Sequence, residues 1–215
     1  MIVYWILLLV TAFAAYFIGS MSTLVIASNF IFRRNLARLG EGGVWLSNFR
    51  RVYGVWGFVK LLLTELVKDL LPILLGGLLL GIKGHAEVGR AFAGFCLVLG
   101  RLYPAIYDFR GSHATVCLIV SALLLDSSMG IAIAALVAAV GWFTRYLSLA
   151  TMVGALVMVI ASLLLIDDNL TMTLALFTAG LVLIRHIPSI SRLLNGREEK
   201  LSFEEDITYK FDEKF

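Results

Sequence analysis

The sequence predicts an all-α fold, a polytopic membrane bundle of about seven transmembrane helices. The N-terminus is expected outside and the C-terminus in the cytoplasm. Three observations predict this. Of the 215 residues, 60% are hydrophobic and only 15% are charged, against roughly 25% charged in an average soluble domain. The mean hydropathy is +0.92. The apolar residues also gather into runs separated by short basic or acidic segments. A water-soluble globule of this size needs more polar surface than the chain supplies, and a disordered chain needs far less apolar material.

A helix needs about 20 apolar residues to cross a bilayer. Ile2 to Phe32 supplies the first span. It carries no basic n-region and no clear cleavage site, so it reads as a retained helix rather than a signal peptide. Val52 to Ile82 is the second. Its first half holds Lys60, Glu65, Lys68 and Asp69, which places that half against protein or water rather than lipid. Val88 to Leu99 or Tyr103 is the third. Ala114 to Leu125 is the fourth and is short, crossing obliquely or lying half-buried. Met129 to Phe143, Leu147 to Ile166 and Leu170 to Ile184 complete the set. Unpaired backbone groups are too costly in hydrocarbon for these spans to be anything but helices. Trp5, Trp56, Trp142 and Tyr4 suit interfacial aromatic belts.

Charge sets the orientation. Arg33, Arg34, Arg38, Arg50, Arg51, Arg101, Arg110, Arg145, Arg185, Arg192 and Arg197 fall on one side if seven spans alternate. Lys83, Glu87, Arg90, Asp126, Asp167 and Asp168 fall on the other. The positive-inside rule puts the arginine-rich side in the cytoplasm. Residues 1–196 carry 14 Lys and Arg and 8 Asp and Glu, whereas residues 197–215 carry 4 and 7. The body is therefore basic and the tail acidic. We divide the chain into a membrane domain, 1–198, and an acidic cytoplasmic tail, 199–215. The basic residues sit between apolar spans, which speaks against nucleic acid as a partner. Cys96 and Cys117 lie in apolar runs and behave as small hydrophobes. Zinc-ligand spacings are absent, and neither a metal nor a cofactor is expected.

The polar segments that carry chemistry all lie on the arginine-rich side. They are Gly40 to Arg51, Gly100 to Pro104, Phe109 to Ala114, Arg145 to Leu149, and Arg185 to Glu198. Glycines let backbone N–H groups approach an anion, and converging arginines suit phosphate. Basic loops obeying the positive-inside rule are the plainer reading of the same residues.

The order of these segments resembles the bacterial acyl-phosphate glycerol-3-phosphate acyltransferases, the PlsY family. Gly19-Ser20 matches the family's Gly-Ser near the end of its first span. Gly40, Gly42, Asn48 and Arg51 match its first glycine-rich loop, and Glu65 and Lys68 echo an acid and a lysine in its second span. Arg145-Tyr146-Leu147-Ser148-Leu149 keeps a family motif intact. The closing motif appears as Arg185-His186, Ser189, Arg192-Leu193 and Gly196-Arg197-Glu198.

This resemblance implies attack of a glycerol-3-phosphate hydroxyl on an acyl phosphate, without an acyl-enzyme. It implies Ser148, His186 and Glu198 as catalytic candidates. It implies Gly40, Gly42, Asn48, Arg51, Lys68, Arg101, Gly111, His113, Arg145 and Arg192 as binding candidates for substrate and phosphate. The partners implied are the lipid bilayer of a bacterial plasma membrane, an acyl phosphate and glycerol-3-phosphate.

The sequence also departs from the family pattern. Arg101 stands where the family has histidine, and His113 stands at a lysine position in a loop that has lost two glycines. Glu41 and Gly43 replace a serine and an asparagine, and Ser189 replaces an asparagine. These departures keep a second reading open, in which the chain is an inactive homologue serving as a structural or accessory subunit. In that reading the tail, with Phe203, Ile207, Tyr209, Phe211 and Phe215 among its charges, docks on a membrane-protein partner.

Overall fold

The computed structural model describes residues 2–33, 46–198 and 200, without the side chains of Ser47 and Arg51. Gly40, Gly42 and the acidic tail beyond 198, Lys200 apart, lie outside the described residues. Those described form helices and connecting turns.

The first helix, α1 (Ile2–Ser20), is apolar almost all round. Its buried positions, Thr11, Ala15, Gly19 and Ser20, are small and recur at helical spacing. Trp5, Leu9 and Phe13 point away from the bundle. The Thr11 hydroxyl donates to the Leu7 carbonyl at 2.8 Å, and that of Ser20 to Tyr16 at 2.8 Å. Neither therefore presents an unpaired donor to an apolar surrounding.

The apolar stretch expected as one span to Phe32 is divided. After a break at Met21-Ser22 comes α2 (Thr23–Ile26), which runs on into a π-helical turn, Ala27–Ile31. The break frees carbonyls that a continuous helix would use. Lys68 reaches two of them, Ile18 at 3.5 Å and Met21 at 3.3 Å. The sequence of the apolar run does not reveal this, because the capping group comes from another helix.

The long α3 (Leu46–Gly81) bends at Gly54, whose φ of +66° is left-handed backbone that glycine adopts without penalty. Pro72 lies inside it. Of the charged residues between Lys60 and Asp69, Asp69 and Glu65 are buried, Lys68 is nearly so, and Lys60 is exposed. α4 (Ala86–Leu102) is the central helix, packed by α1, α3, α5 and α8. Gly19 and Gly100 let α1 and α4 touch backbone to backbone. A Cβ at Gly19 would overlap the Leu97 carbonyl, and one at Gly100 the Tyr16 carbonyl. Close approach through small residues is how helices associate in lipid.

A short 3-10 turn at Ala105–Tyr107 leads to α5 (Thr115–Leu125). At 11 residues it is short for a crossing, and Thr115, Cys117, Leu118, Val120, Ser121 and Ala122 are buried within the bundle. Then follow α6 (Ser127–Thr144), α7 (Leu147–Leu165) and α8 (Asn169–Leu194). Asp126 caps α6 by accepting from the Met129 amide at 2.8 Å, and Asp168 caps α8 through the Thr171 amide at 2.7 Å. Leu97, Leu118, Ile133 and Met158 are fully enclosed where α4, α5, α6 and α7 meet.

Among the described residues, four helices are long and apolar enough to cross a membrane: α1, α6, α7 and α8. Their outward faces carry exposed Leu, Ile, Phe and Trp, including Trp142, Phe143, Leu164 and Phe177. A surface of that kind is at home in lipid, not water.

Candidate functional site

One end of the bundle gathers the C-termini of α4, α6 and α8 with the N-termini of α5 and α7. The α6–α7 hairpin turns at Arg145, whose φ is +61°. Tyr146 then enters α7 in an extended conformation, which sets Ser148 in the first turn of that helix. The Thr144 hydroxyl steadies the turn, donating to Val140 at 2.6 Å and accepting from the Tyr146 amide at 3.2 Å. The Thr151 hydroxyl donates to Leu147 at 2.8 Å, so Thr115 must be the donor in its 2.6 Å bond to Thr151. That bond ties the start of α5 to the start of α7.

Ser148 is 2% exposed. Its hydroxyl donates to Oε1 of Glu198. A hydroxyl has one proton, so the His113 ring, with Nε2 at 3.1 Å from the serine oxygen, is the donor there. The order is thus His113 Nε2–H to Ser148, and Ser148 O–H to Glu198. The other Glu198 oxygen accepts from Nε of Arg192 at 2.6 Å. Arg192 also donates to Ser189 at 2.9 Å.

Glu198 lies beyond α8 in sequence and is returned to its end by a tight reversal. The Gly196 amide bonds the Leu193 carbonyl at 3.1 Å and the Arg197 amide bonds Arg192 at 2.8 Å. This is the paired 5→2 and 6→1 pattern that closes a helix, with glycine at the left-handed position, φ +64°.

His186 completes the cluster on α8. It is 3% exposed, and its ring centroid lies 5.4 Å from that of His113. Its Nδ1–H donates to the Val182 carbonyl at 2.7 Å, leaving Nε2 as the basic nitrogen of the neutral ring. Arg185, one residue back, reaches the Gly111 carbonyl at 3.5 Å and lies 6.0 Å over the Tyr103 ring. Gly111 itself is pressed on the carbonyls of Arg101 and Leu102, where a side chain would not fit.

His113 is exposed as a residue, but one side of its ring is packed against His186 and Ser148. Loss of solvent there, reinforced by the neighbouring His186, pushes the imidazole down to about 4. It is therefore neutral at pH 7. Partial desolvation raises the Glu198 carboxyl, but bonds from Arg192 and Ser148 outweigh it and hold the group below the ordinary carboxylate value.

Of the expected site residues, Ser148, His186, Glu198, His113, Gly111 and Arg192 come together here. Arg145 is exposed on the adjoining turn. Arg101 and Lys68 lie deeper. Arg101 is 8% exposed and paired with Glu65, and Lys68 pairs with Asp69 at 3.1 Å. Asn48 is buried on α3 next to Phe49. The Arg51 side chain, Gly40 and Gly42 fall outside what is described. Arg185, Ser189 and the Thr115–Thr151 pair were not singled out as site residues. Nothing in the sequence marks the threonines, since their partners lie on different helices. Among the described residues no group of three or more His, Cys, Asp or Glu is placed to hold a metal.

Comparison with known proteins follows the same lines. The family model for glycerol-3-phosphate acyltransferase matches residues 9–196. A Finegoldia magna protein named glycerol-3-phosphate acyltransferase is 27% identical over 195 residues, covering 90% of this chain and 96% of that one. A protein of the same name from Shouchella clausii is 30% identical over 200 residues, covering 90% and 96%. Two crystal structures of PlsY, an integral membrane glycerol 3-phosphate acyltransferase, share the fold. The glycerol 3-phosphate form superposes with a TM-score of 0.71 at 22% identity, covering 91% of this chain and 96% of that one. The lysophosphatidic acid form gives 0.74 at 21%, covering 94% and 98%.

Proposed function

Because the chain belongs to the glycerol-3-phosphate acyltransferase family, we propose that it transfers an acyl group from an acyl phosphate to glycerol-3-phosphate. The products are lysophosphatidic acid and inorganic phosphate. The observation that carries the reading is the run of hydrogen bonds from His113 through Ser148 to Glu198 and Arg192, with His186 alongside.

The step is simple in its bonds. The acceptor hydroxyl oxygen attacks the acyl carbon, the bond from that carbon to the phosphate oxygen breaks, and the electron pair leaves with phosphate. The hydroxyl proton passes to a base. His186 suits that role, because its Nδ1–H is committed to Val182 and Nε2 is left as the acceptor. Both substrates are anions. Arg145, Arg185 and Arg192 surround the same end of the bundle and supply the positive field that holds them. Glu198 fixes Arg192 and receives Ser148, so it aligns the polar groups rather than binding an anion. This continuous network favours transfer over an inactive accessory role.

We further propose that α1, α3, α4, α5, α6, α7 and α8 are seven crossings of a bacterial plasma membrane. The site end then faces the cytoplasm. Support comes from the sidedness of charge. Arg101, Arg110, Arg145, Arg185 and Arg192 lie at or near the site end, and Lys83, Glu87, Asp126, Asp167 and Asp168 at or near the other.

The test is release of inorganic phosphate by the purified chain, given an acyl phosphate and glycerol-3-phosphate, with lysophosphatidic acid identified by mass spectrometry. Ser148→Ala and His186→Ala should lower the rate by about 10²-fold or more. No phosphate release above background from the unmodified chain sinks the reading.

A further inference from the structure

Behind the Ser148 network lies a second buried group of charges. Glu65, Lys68 and Asp69 come from α3 and Arg101 from α4. The two acids and two bases balance, as buried ions must. Asp69 is engaged by Lys68 at 3.1 Å and by the Cys117 thiol, which donates at 3.0 Å. Glu65 is engaged by Arg101.

Arg101 is shared three ways. One terminal nitrogen donates to Glu65, the other to the Thr23 hydroxyl at 3.4 Å, and Nε to the backbone carbonyl of His113 at 3.5 Å. A guanidinium is planar, so seating two of its nitrogens fixes the direction of the third. The carbonyl it meets belongs to the residue whose ring reaches Ser148. Two residues earlier, Gly111 lies flat on the end of α4. The segment from Gly111 to His113 is therefore laid along α4, and Nε of Arg101 is a side-chain tie on its peptide.

We propose that Arg101, seated by Glu65 and Thr23, is a positioning residue that acts through His113. It fixes the His113 peptide and so the aim of the imidazole at Ser148. It does not hold phosphate itself, since its three nitrogens are directed onto protein groups. The charged and titratable groups facing His113 are Arg185, His186 and Arg192 on α8 and Glu198 beyond it. None of them changes when Arg101 is altered. The effect on rate rests on the acyl-transfer reading; the effect on His113 does not.

The test uses the full chain in detergent, with Arg101→Lys, His113→Gln and the double variant. Lysine keeps the charge and the pairing with Glu65, but one ammonium cannot occupy all three places. Arg101→Lys should lower kcat on the order of tenfold, as loss of alignment does, with KM for acyl phosphate unchanged. In the His113→Gln background the same substitution should be silent, the sign of coupling in a double-mutant cycle. An equal loss in both backgrounds overturns the proposal, and so does a raised KM at constant kcat.

A second readout needs no turnover. Modification of His113 by diethyl pyrocarbonate, followed by mass spectrometry, should quicken several-fold in Arg101→Lys while His85 stays constant. Unchanged His113 reactivity overturns the proposal. An unmodified chain that releases no phosphate speaks instead against the acyl-transfer reading. If Arg101→Lys does not fold, Glu65→Gln carries the same expectation, with both side-chain shapes kept.

Discussion

Substituting Gly100 by alanine tests the packing that carries the site. The helix backbone at that position is ordinary, so the effect comes from space alone. A Cβ there would stand 2.2 Å from the Tyr16 carbonyl oxygen, 3.0 Å from its carbon and 3.1 Å from the Ser20 nitrogen. All three are backbone atoms, so no side chain can swing aside. Ordinary contact begins near 3.4 Å, so α1 and α4 must part by roughly 1 Å. A gap of that size forfeits about a quarter to a half of the dispersion energy along the seam, and overpacking of a filled interior costs about 1–3 kcal/mol. For a chain of this length that corresponds to an apparent melting temperature lower by on the order of 5 °C. The matched control is Gly180→Ala on α8, where a Cβ meets nothing within 4 Å. It should melt at or slightly above the unmodified chain, because alanine favours the helix. Both would be measured by thermal unfolding in one detergent, with phosphate release alongside. Gly100→Ala should also lose activity, since Arg101 is the next residue. If it melts no lower than Gly180→Ala, the close approach of α1 and α4 is refuted.

Other outcomes follow from the same geometry. Ser148→Ala removes the buried hydroxyl that joins His113 to Glu198 and should lower stability by about 1 kcal/mol in denaturant titration. Glu198 has a folded value below its unfolded one. Its contribution is therefore complete above the unfolded value and is lost as pH falls through the folded one. His113, held down to about 4, also prefers its neutral form in the fold, so acid opposes it too. Melting curves of the unmodified chain and Glu198→Gln should differ at neutral pH and converge in acid. An imidazole NMR titration showing His113 protonated at pH 6 contradicts its placement. Cys96 and Cys117 are both buried and free, so a reducing agent should leave the melting temperature unchanged; a shift indicates a disulfide.

What the sequence discloses follows from what is local. Apolar runs mark the helices, most ends lying within about six residues, but α8, expected to end at Ile184, runs on to Leu194, and the first run is divided. Val52 to Ile82 became Leu46–Gly81, and Val88 to Tyr103 became Ala86–Leu102. Hydrophobicity is a property of the run itself. The grouping of Ser148, His186 and Glu198 was legible through their motif order. The bond from Arg192 to Glu198 was not, because it needs the reversal at Gly196. The pairing of Glu65 with Arg101 was equally hidden. Several acids and bases occupy the chain, and only the crossing of α3 and α4 selects these two. The break at Met21-Ser22 is not legible in the sequence, because its neighbours are apolar and its capping lysine is 47 residues away.

The charge quartet on α3 and α4 also bears on how the protein is made. In the seven-crossing arrangement proposed above, α3 alone in hydrocarbon would carry Glu65, Lys68 and Asp69, and an acid or lysine at the centre of a span costs roughly 2.5–3.5 kcal/mol. Such a helix is a poor guest for the bilayer until Arg101 arrives on α4 and Cys117 on α5. By contrast α1 is apolar enough to enter unaided. Under that arrangement biogenesis would have a built-in sequence. An early anchor would be laid down first, and the second long helix would be held back until Arg101 emerges to balance its charge. Insertion and assembly of the scaffold behind the site would then be one event. A translation product truncated before Arg101 should remain extractable by alkali, whereas one extended past Cys117 should not.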